Sequence, residues 1–395
     1  MNQYEDLFDS NTGIIPIAKA RYVPRIESTN IYVTALPPPR DNIELAYDNN
    51  KSPGLPDVET FKAMPNEQQI KLLTKIKNSR ICLPYYQQIE ENVDRALTDS
   101  YERRASILRD RPSGFYTYQD KEIETCQHSQ IKQLGDAPLG FAIIGESGCG
   151  KTNGIHNVLQ KYPQAIIHNS GTMQQHIQIP IVLVEMPENS NFHGLYTAIG
   201  LVIDRILGNT YVYEKELSRK GTLSEKFFRL RHILEVFNVG LLLIDEIEHM
   251  SKKRISEGTL ETFMSLSNQT GTAIGVIGTQ ESFNKLFYEP RVARRMGEFI
   301  NADSYHTNKK QTTKALRILY SYLPYEVPLT DGCINVYQRV TDGIIFYILQ
   351  LFIHVAVILF RNQQRNNTTI CKRNSQKQRI RYFPTVQPNP YPSAS

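Results

Sequence analysis

The sequence predicts an α/β fold in which a parallel sheet carries helices on both faces, with helical segments before and after it. Three observations carry that prediction. Four short apolar runs, Phe141 to Ile144 (FAII), Ile181 to Met186 (IVLVEM), Leu241 to Asp245 (LLLID) and Ala273 to Thr279 (AIGVIGT), look like strands buried on both faces. The stretches between them are mostly amphipathic, as crossover helices require. A glycine-rich loop follows the first run directly.

The elements follow in order along 395 residues, a length that suggests two or three units. Charged residues at 22% and hydrophobic residues at 40% exclude wholesale disorder and a multispan membrane protein. Residues 1–60 hold seven of the 21 prolines, Pro37, Pro38 and Pro39 among them, and read as an extended arm. Residues 61–125 turn helical: QQIKLLTKIKNSRI, a break at Pro84, then IEENVDRALTDSYERR with Ile89, Val93 and Leu97 at four-residue spacing. A small helical subdomain is expected there, and the sheet is expected in residues 126–300.

Residues 301–360 return to helix, from KKQTTKALRILYSYL to the apolar stretch Gly343 to Phe360, whose 18 residues are the minimum that raises a membrane span. Gln350 and His354 interrupt it and Thr341 can cap a helix, so a packed interface helix is the favoured reading. Residues 361–395 carry seven bases and no acid, which resolves the formal net charge of +5 into +7 on this tail and −2 on the rest. The tail reads as basic and disordered, and any DNA-binding surface in the body must be a local patch. Five scattered cysteines without a CxxC pair exclude a zinc ribbon and point to a reducing cytoplasm. The N-terminal MNQYEDLFDSNTG has acids where a signal peptide needs bases.

The residues that carry chemistry begin with Gly145, Glu146, Ser147, Gly148, Cys149, Gly150, Lys151 and Thr152, a full GxxxxGK[ST] between a strand and a helix. Glycines at this spacing let backbone N–H groups converge on phosphates, Lys151 neutralises the β and γ groups, and Thr152 can ligate Mg²⁺. Cys149 reads as a small residue without a role of its own. The run LLLIDE places two acids at a strand end: Asp245 for the Mg²⁺ shell and Glu246 to orient and deprotonate the attacking water. Thr279, ending the next strand, is the candidate sensor of the γ-phosphate, against the plainer reading of a helix cap. Arg291, Arg294 and Arg295 cluster after Pro290, and Arg294 and Arg295 are the candidates to complete a neighbouring subunit's site.

These elements, in this order, are those of AAA+ ATPases: a P-loop NTPase core with helices on both faces of a parallel sheet. Within that class the chain resembles the TnsC/TniB regulators of DNA transposition. The likeness rests on TALPPP, NVLQKYPQAIIHN, FHGLYTAIGLVIDRILGNTY, LLLIDEIEHMSKKR, VIGTQESFNKLF, ARRMGE and TDGIIFYILQLFIHVAVI, spread over roughly residues 30–360. It implies ATP and Mg²⁺ as cofactors, and a homo-oligomeric ring or filament assembled on double-stranded DNA. It also implies a TnsD/TniQ-type target selector and a TnsA/TnsB-type transposase as partners, no membrane, and a helical lid made by residues 301–360. A ring around DNA needs cations facing its pore, and two patches fit: Lys215, Arg219 and Lys220, then Lys252, Lys253 and Arg254. Two functions remain open at this point. One is a nucleotide-gated DNA scaffold; the other is an ATP-driven motor or helicase-loader-like remodeller acting on DNA. The first is favoured because the chain holds no nuclease constellation and no helicase-like accessory domain. The tail departs from the family, whose members continue past the lid with more ordered structure.

Overall fold

The computed structural model describes residues 2–26, 28–50, 52–109, 140–169, 175–188, 191–250, 257–286, 297–303, 308–324 and 327–368. The chain opens with β1 (Ala18–Lys19), α1 (Ile31–Thr34), α2 (Asn42–Asn49), α3 (Val58–Ala63), α4 (Asn66–Thr74) and the long α5 (Tyr86–Arg109). Strand β2 (Phe141–Ile144) leads through the glycine loop into α6 (Lys151–Leu159). After it come β3 (Ile166–His168), β4 (His176–Gln178), β5 (Ile181–Glu185), α7 (Phe192–Leu207), α8 (Val212–Ser218) and α9 (Leu223–Val236). Next are β6 (Leu241–Asp245), α10 (Glu257–Thr270), β7 (Ala273–Gly278), α11 (Gln280–Leu286) and β8 (Glu298–Asn301), then α12 (Lys309–Ser321), α13 (Asp331–Thr341) and α14 (Ile345–Thr368).

The main sheet has the strand order β5-β6-β7-β2-β8, every neighbouring pair parallel. Strands β2, β6 and β7 read as unbroken apolar runs because both faces are covered, whereas β8 at the edge buries only Ile300. Ala142, Val182, Val184, Leu242, Ile244, Ile274 and Val276 face one core, with Leu195, Ile199 and Ile203 of α7 and Leu230 and Leu234 of α9. Phe141, Ile143, Leu241, Leu243, Ala273 and Ile277 face the other, with Ile89, Val93 and Leu97 of α5 and Ile155 and Val158 of α6. Alternate residues thus go to opposite cores, and neither set meets water. The helices start where short polar side chains stop the chain: Asn191 accepts from the N–H groups of His193 and Gly194, and Thr222 with Glu225 forms a reciprocal cap on α9.

The segment expected as an extended arm departs from that expectation, because several of its described side chains are packed into the core. Tyr4, Ile15, Val33, Leu36 and Leu45 are buried with the inner residues of α5 and α6. Strand β1 pairs parallel to β3, which pairs antiparallel to β4, making a second, three-stranded sheet that the sequence did not announce. Prolines remove backbone donors but keep their carbonyls, and these find partners here. The Pro37 oxygen accepts from Arg25 Nη2 at 2.8 Å, and the Pro38 oxygen accepts from Lys161 Nζ at 3.0 Å.

The helical subdomain expected before the sheet is also divided. Helix α5 lies on the sheet, its Tyr101 hydroxyl donating to Asn238 O at 2.9 Å and its Ser100 hydroxyl to Gly271 O at 2.7 Å. Phe61, Leu73 and Ile76, by contrast, share a core with Leu316 and Leu319 of α12 and with Ile348, Phe352 and Phe360 of α14. The four-residue spacing along α14 makes a buried stripe. No helix among the described residues is long and apolar enough to cross a membrane. Thr341 does not cap α14; its hydroxyl donates to Tyr337 O at 2.7 Å and accepts from Gly343 N at 3.2 Å, finishing α13.

Candidate nucleotide-binding site

The loop between β2 and α6 owes its shape to two glycines. Gly148 and Gly150 both have φ of +88°, a left-handed backbone that other residues adopt only with strain. Gly150 also caps α6, so the first free N–H groups of that helix open toward the loop. Lys151 Nζ donates to the carbonyl oxygens of Gly145 at 2.7 Å and Glu146 at 2.9 Å. Its ammonium is therefore drawn back over the loop itself, within reach of anything the loop encloses. Glu146 and Ser147 are exposed and Thr152 stands at the open end of the helix.

Thr152 Oγ1 donates to Asp245 Oδ2 at 2.9 Å, joining the loop to the end of β6. Asp245 is buried, and its other oxygen accepts from Glu246 N at 2.8 Å. Glu246 has φ of +53° and starts a 3₁₀ turn, Ile247–His249. Burial raises its pKa above the ordinary carboxylate value; the nearby acids Asp245, Glu185 and Glu248 push the same way, and His249 opposes them. Gly145 N donates to Gly278 O at 3.2 Å, so the end of β7 is tied to the root of the loop. Thr279 follows directly and caps α11: its Oγ1 lies 3.3 Å from Ser282 Oγ and accepts from Ser282 N at 3.4 Å. The structure thus brings Gly145–Thr152, Asp245, Glu246 and Thr279 to one end of the parallel sheet, the end where α/β proteins hold ligands.

Several residues at this site were not foreseen. Asp303, just past β8, accepts from Glu146 N at 2.8 Å and lies 3.3 Å from Cys149 Sγ. Cys149 is buried, and burial pushes its thiol up to about 12, so it is an inert part of the loop's underside. Tyr85 and Tyr86 donate their hydroxyls to the carbonyls of Cys149 at 2.8 Å and Gly150 at 3.2 Å. From the other side Phe346 N, at the start of α14, donates to Gly148 O at 3.3 Å. Between these walls lies a cleft of about 340 Å³ lined by Leu45, Leu83, Cys149, Thr312 and Ile345 among others. Tandem tyrosines after Pro84 were the only trace of this in the sequence, and nothing in their spacing marked them.

Of the expected DNA contacts, Lys215 lies on α8 with Arg219 at its C-terminal end and Lys220 beyond, all three exposed. Lys252, Lys253 and Arg254 lie outside the described residues, as do Arg291, Arg294, Arg295 and the tail from residue 369 onward.

A phosphate loop after one strand, a paired Thr152–Asp245, an acid next to it, and a polar residue ending the strand between them define a P-loop NTPase core of AAA+ type. Within it, residues 135–302 match the family described as Bacterial TniB protein. That stretch contains DEIEHMS, IGT and ARRMG, the motifs on which the resemblance to the TnsC/TniB regulators rests. No curated protein matches the chain. Similar solved structures include the Aeropyrum pernix Orc1 protein in complex with DNA, at 16% identity and TM-score 0.39 over 58% of this chain and 56% of that one. Cdc6p from Pyrobaculum aerophilum is similar at 16% identity and TM-score 0.40, over 72% of this chain and 64% of that one. PCH-2 of C. elegans is similar at 12% identity and TM-score 0.31, over 71% and 70%. The chain spans less than two thirds of the length of the first two.

Proposed function

We propose that this chain is an ATP-dependent regulator of DNA transposition. It assembles as a homo-oligomer on duplex DNA and links a TnsD/TniQ-type target selector to a TnsA/TnsB-type transposase. The observation that carries the reading is the Thr152–Asp245 hydrogen bond beneath the phosphate loop, inside the stretch that matches TniB.

The residues present fit ATP and Mg²⁺. The two left-handed glycines leave a cradle of backbone N–H groups, and Lys151 is held by carbonyl oxygens that a phosphate can replace as its partner. Thr152 and Asp245 would hold Mg²⁺, which when bound supplies charge neutralisation to the β and γ oxygens. Glu246 takes the proton of the attacking water at its carboxylate, Thr279 senses the γ-phosphate, and the cleft lined by Leu45, Leu83 and Ile345 has room for a base. Arg294 and Arg295 act across the subunit boundary. Lys215, Arg219 and Lys220, with Lys252, Lys253 and Arg254, track the phosphate backbone without reading bases.

Hydrolysis in this reading resets assembly rather than driving work. Electron microscopy of the chain with short duplex DNA and a nonhydrolysable ATP analogue tests it: rings or filaments are expected with the analogue and not with ADP. Monomers on DNA in both states would overturn it. ATP turnover measured alongside separates it from a motor, which would hydrolyse many ATP per binding event.

A further inference from the structure

The turn that follows the two acids of β6 brings a histidine onto the second of them. Glu246, in a left-handed conformation at φ +53°, forces the chain straight into the 3₁₀ turn Ile247–His249, closed by His249 N donating to Glu246 O at 2.9 Å. In a 3₁₀ turn, side chains three apart eclipse. His249 Nδ1 accordingly lies 3.2 Å from Glu246 Oε2 and also 3.2 Å from Met186 O, just past the end of β5. A carbonyl oxygen only accepts, so Nδ1 carries the proton and donates it to Met186 O, and that bond sets the ring with Nδ1 against the Glu246 carboxylate. The turn itself is held from below: Ile247 is buried, and a Cβ on Gly278 would lie 2.6 Å from Ile247 Cγ2 and 2.9 Å from Glu248 Oε2. Only a glycine at the end of β7 lets the turn pack this closely.

We propose that His249 is a positioning residue for ATP hydrolysis: it pins one oxygen of the Glu246 carboxylate to the β5 end of the sheet and leaves the other oxygen for the water. Glu246 needs such a holder because its side chain is 48% exposed and free of other side-chain contacts among the described hydrogen bonds and ion pairs. The inference rests on the ATPase reading above.

Three variants are compared with the full chain in the presence of duplex DNA. His249→Phe keeps a ring but removes the donor, and lowers kcat roughly tenfold to a hundredfold, the scale on which a displaced catalytic group loses rate. ATP affinity and melting temperature stay as in the wild type. His249→Asn places an amide N–H where Nδ1 stood and restores most of the rate. Glu246→Gln is the control for the reaction itself. A His249→Phe chain as fast as the wild type or faster overturns the inference, and so does a His249→Asn chain as slow as His249→Phe. If Glu246→Gln still turns over like the wild type, the ATPase reading falls; if it is inactive while His249→Phe is not, only the role of His249 falls. Long-range ¹H–¹⁵N spectra of the wild type provide a readout independent of rate. At pH 8 the His249 signal, assigned with His249→Asn, should show the Nδ1–H tautomer, and an Nε2–H signal would overturn the proposal even if His249→Phe fails to fold.

Discussion

In the proposed reading, Lys151 serves binding and Glu246 turnover. Lys151→Ala removes the one ammonium the loop holds over its own carbonyls, and a fluorescent ATP analogue should no longer bind at micromolar protein; retained affinity would show that the backbone cradle suffices. Glu246→Gln keeps a neutral side chain of the same size, so ATP binding should persist while kcat falls by about 10²- to 10⁴-fold. That prediction fails if the glutamine variant cannot hold ATP. At this scale the sequence was informative about placement where the candidate residues are contiguous: Gly145–Thr152 form the loop between β2 and α6, and Asp245 and Glu246 stand at the end of β6. It was silent on Asp303, Tyr85 and His249. The first two reach the loop from distant parts of the chain, and the third depends on a left-handed residue inside a tight turn that no residue type announces.

Elements show the same division. Strands β2, β5, β6 and β7 of the main sheet were legible as apolar runs, and the helices between them by their amphipathic pattern, whereas β8 was missed because it lies at the sheet edge and buries only Ile300. The small sheet was illegible, since β1 has two residues and its partner strand β3 is about 150 positions away. That sheet carries a testable pH dependence. His168 and His176 stack at 4.8 Å, and burial pulls His168 down to about 4 while Tyr22 and Gln178 hold its ring nitrogens at 2.9 and 2.8 Å. An unfolded histidine titrates near 6.5, so the unfolded chain binds the proton first. Stability is fully present above about 6.5 and is lost as pH falls towards about 4. Melting temperatures measured across that window should fall, and a His168→Gln chain should show a shallower decline; equal slopes would place the acid sensitivity elsewhere. A second element-level prediction concerns Glu90 of α5. Burial would raise its pKa, yet Lys161 and Arg40, both ion-paired to it, hold it low. Glu90→Gln leaves Lys161 buried without its counter-charge and should cost about 3–5 kcal/mol of stability in denaturant titrations; a loss below about 1 kcal/mol would mean that water reaches the cluster.

On the scale of the molecule, the proposed DNA surface is a property of local cations, because the body outside the basic tail is net acidic. Replacing Lys215, Arg219 and Lys220 with Ala should weaken binding to all duplex sequences alike and reduce the salt slope by about 0.9 for each phosphate that is no longer neutralised. An unchanged slope in filter-binding or anisotropy titrations would assign the three to solvent. The packing of the first fifty residues has a consequence in time. Arg40 Nη2 donates to Asn157 O at 3.1 Å, across 117 residues, and Lys161 reaches back to Pro38 across 123. At ribosomal speed these partners emerge on the order of ten seconds apart. Until then Tyr4, Ile15, Val33 and Leu36 lack Ile155 and Val158 of α6, which share their core. Helix α5, made in between, offers Glu90 to Arg40 before α6 and Lys161 exist. The segment that carries Pro38 and Arg40 therefore settles not when its own residues are synthesised but when the helix behind the phosphate loop, about 120 residues later, is there to receive it.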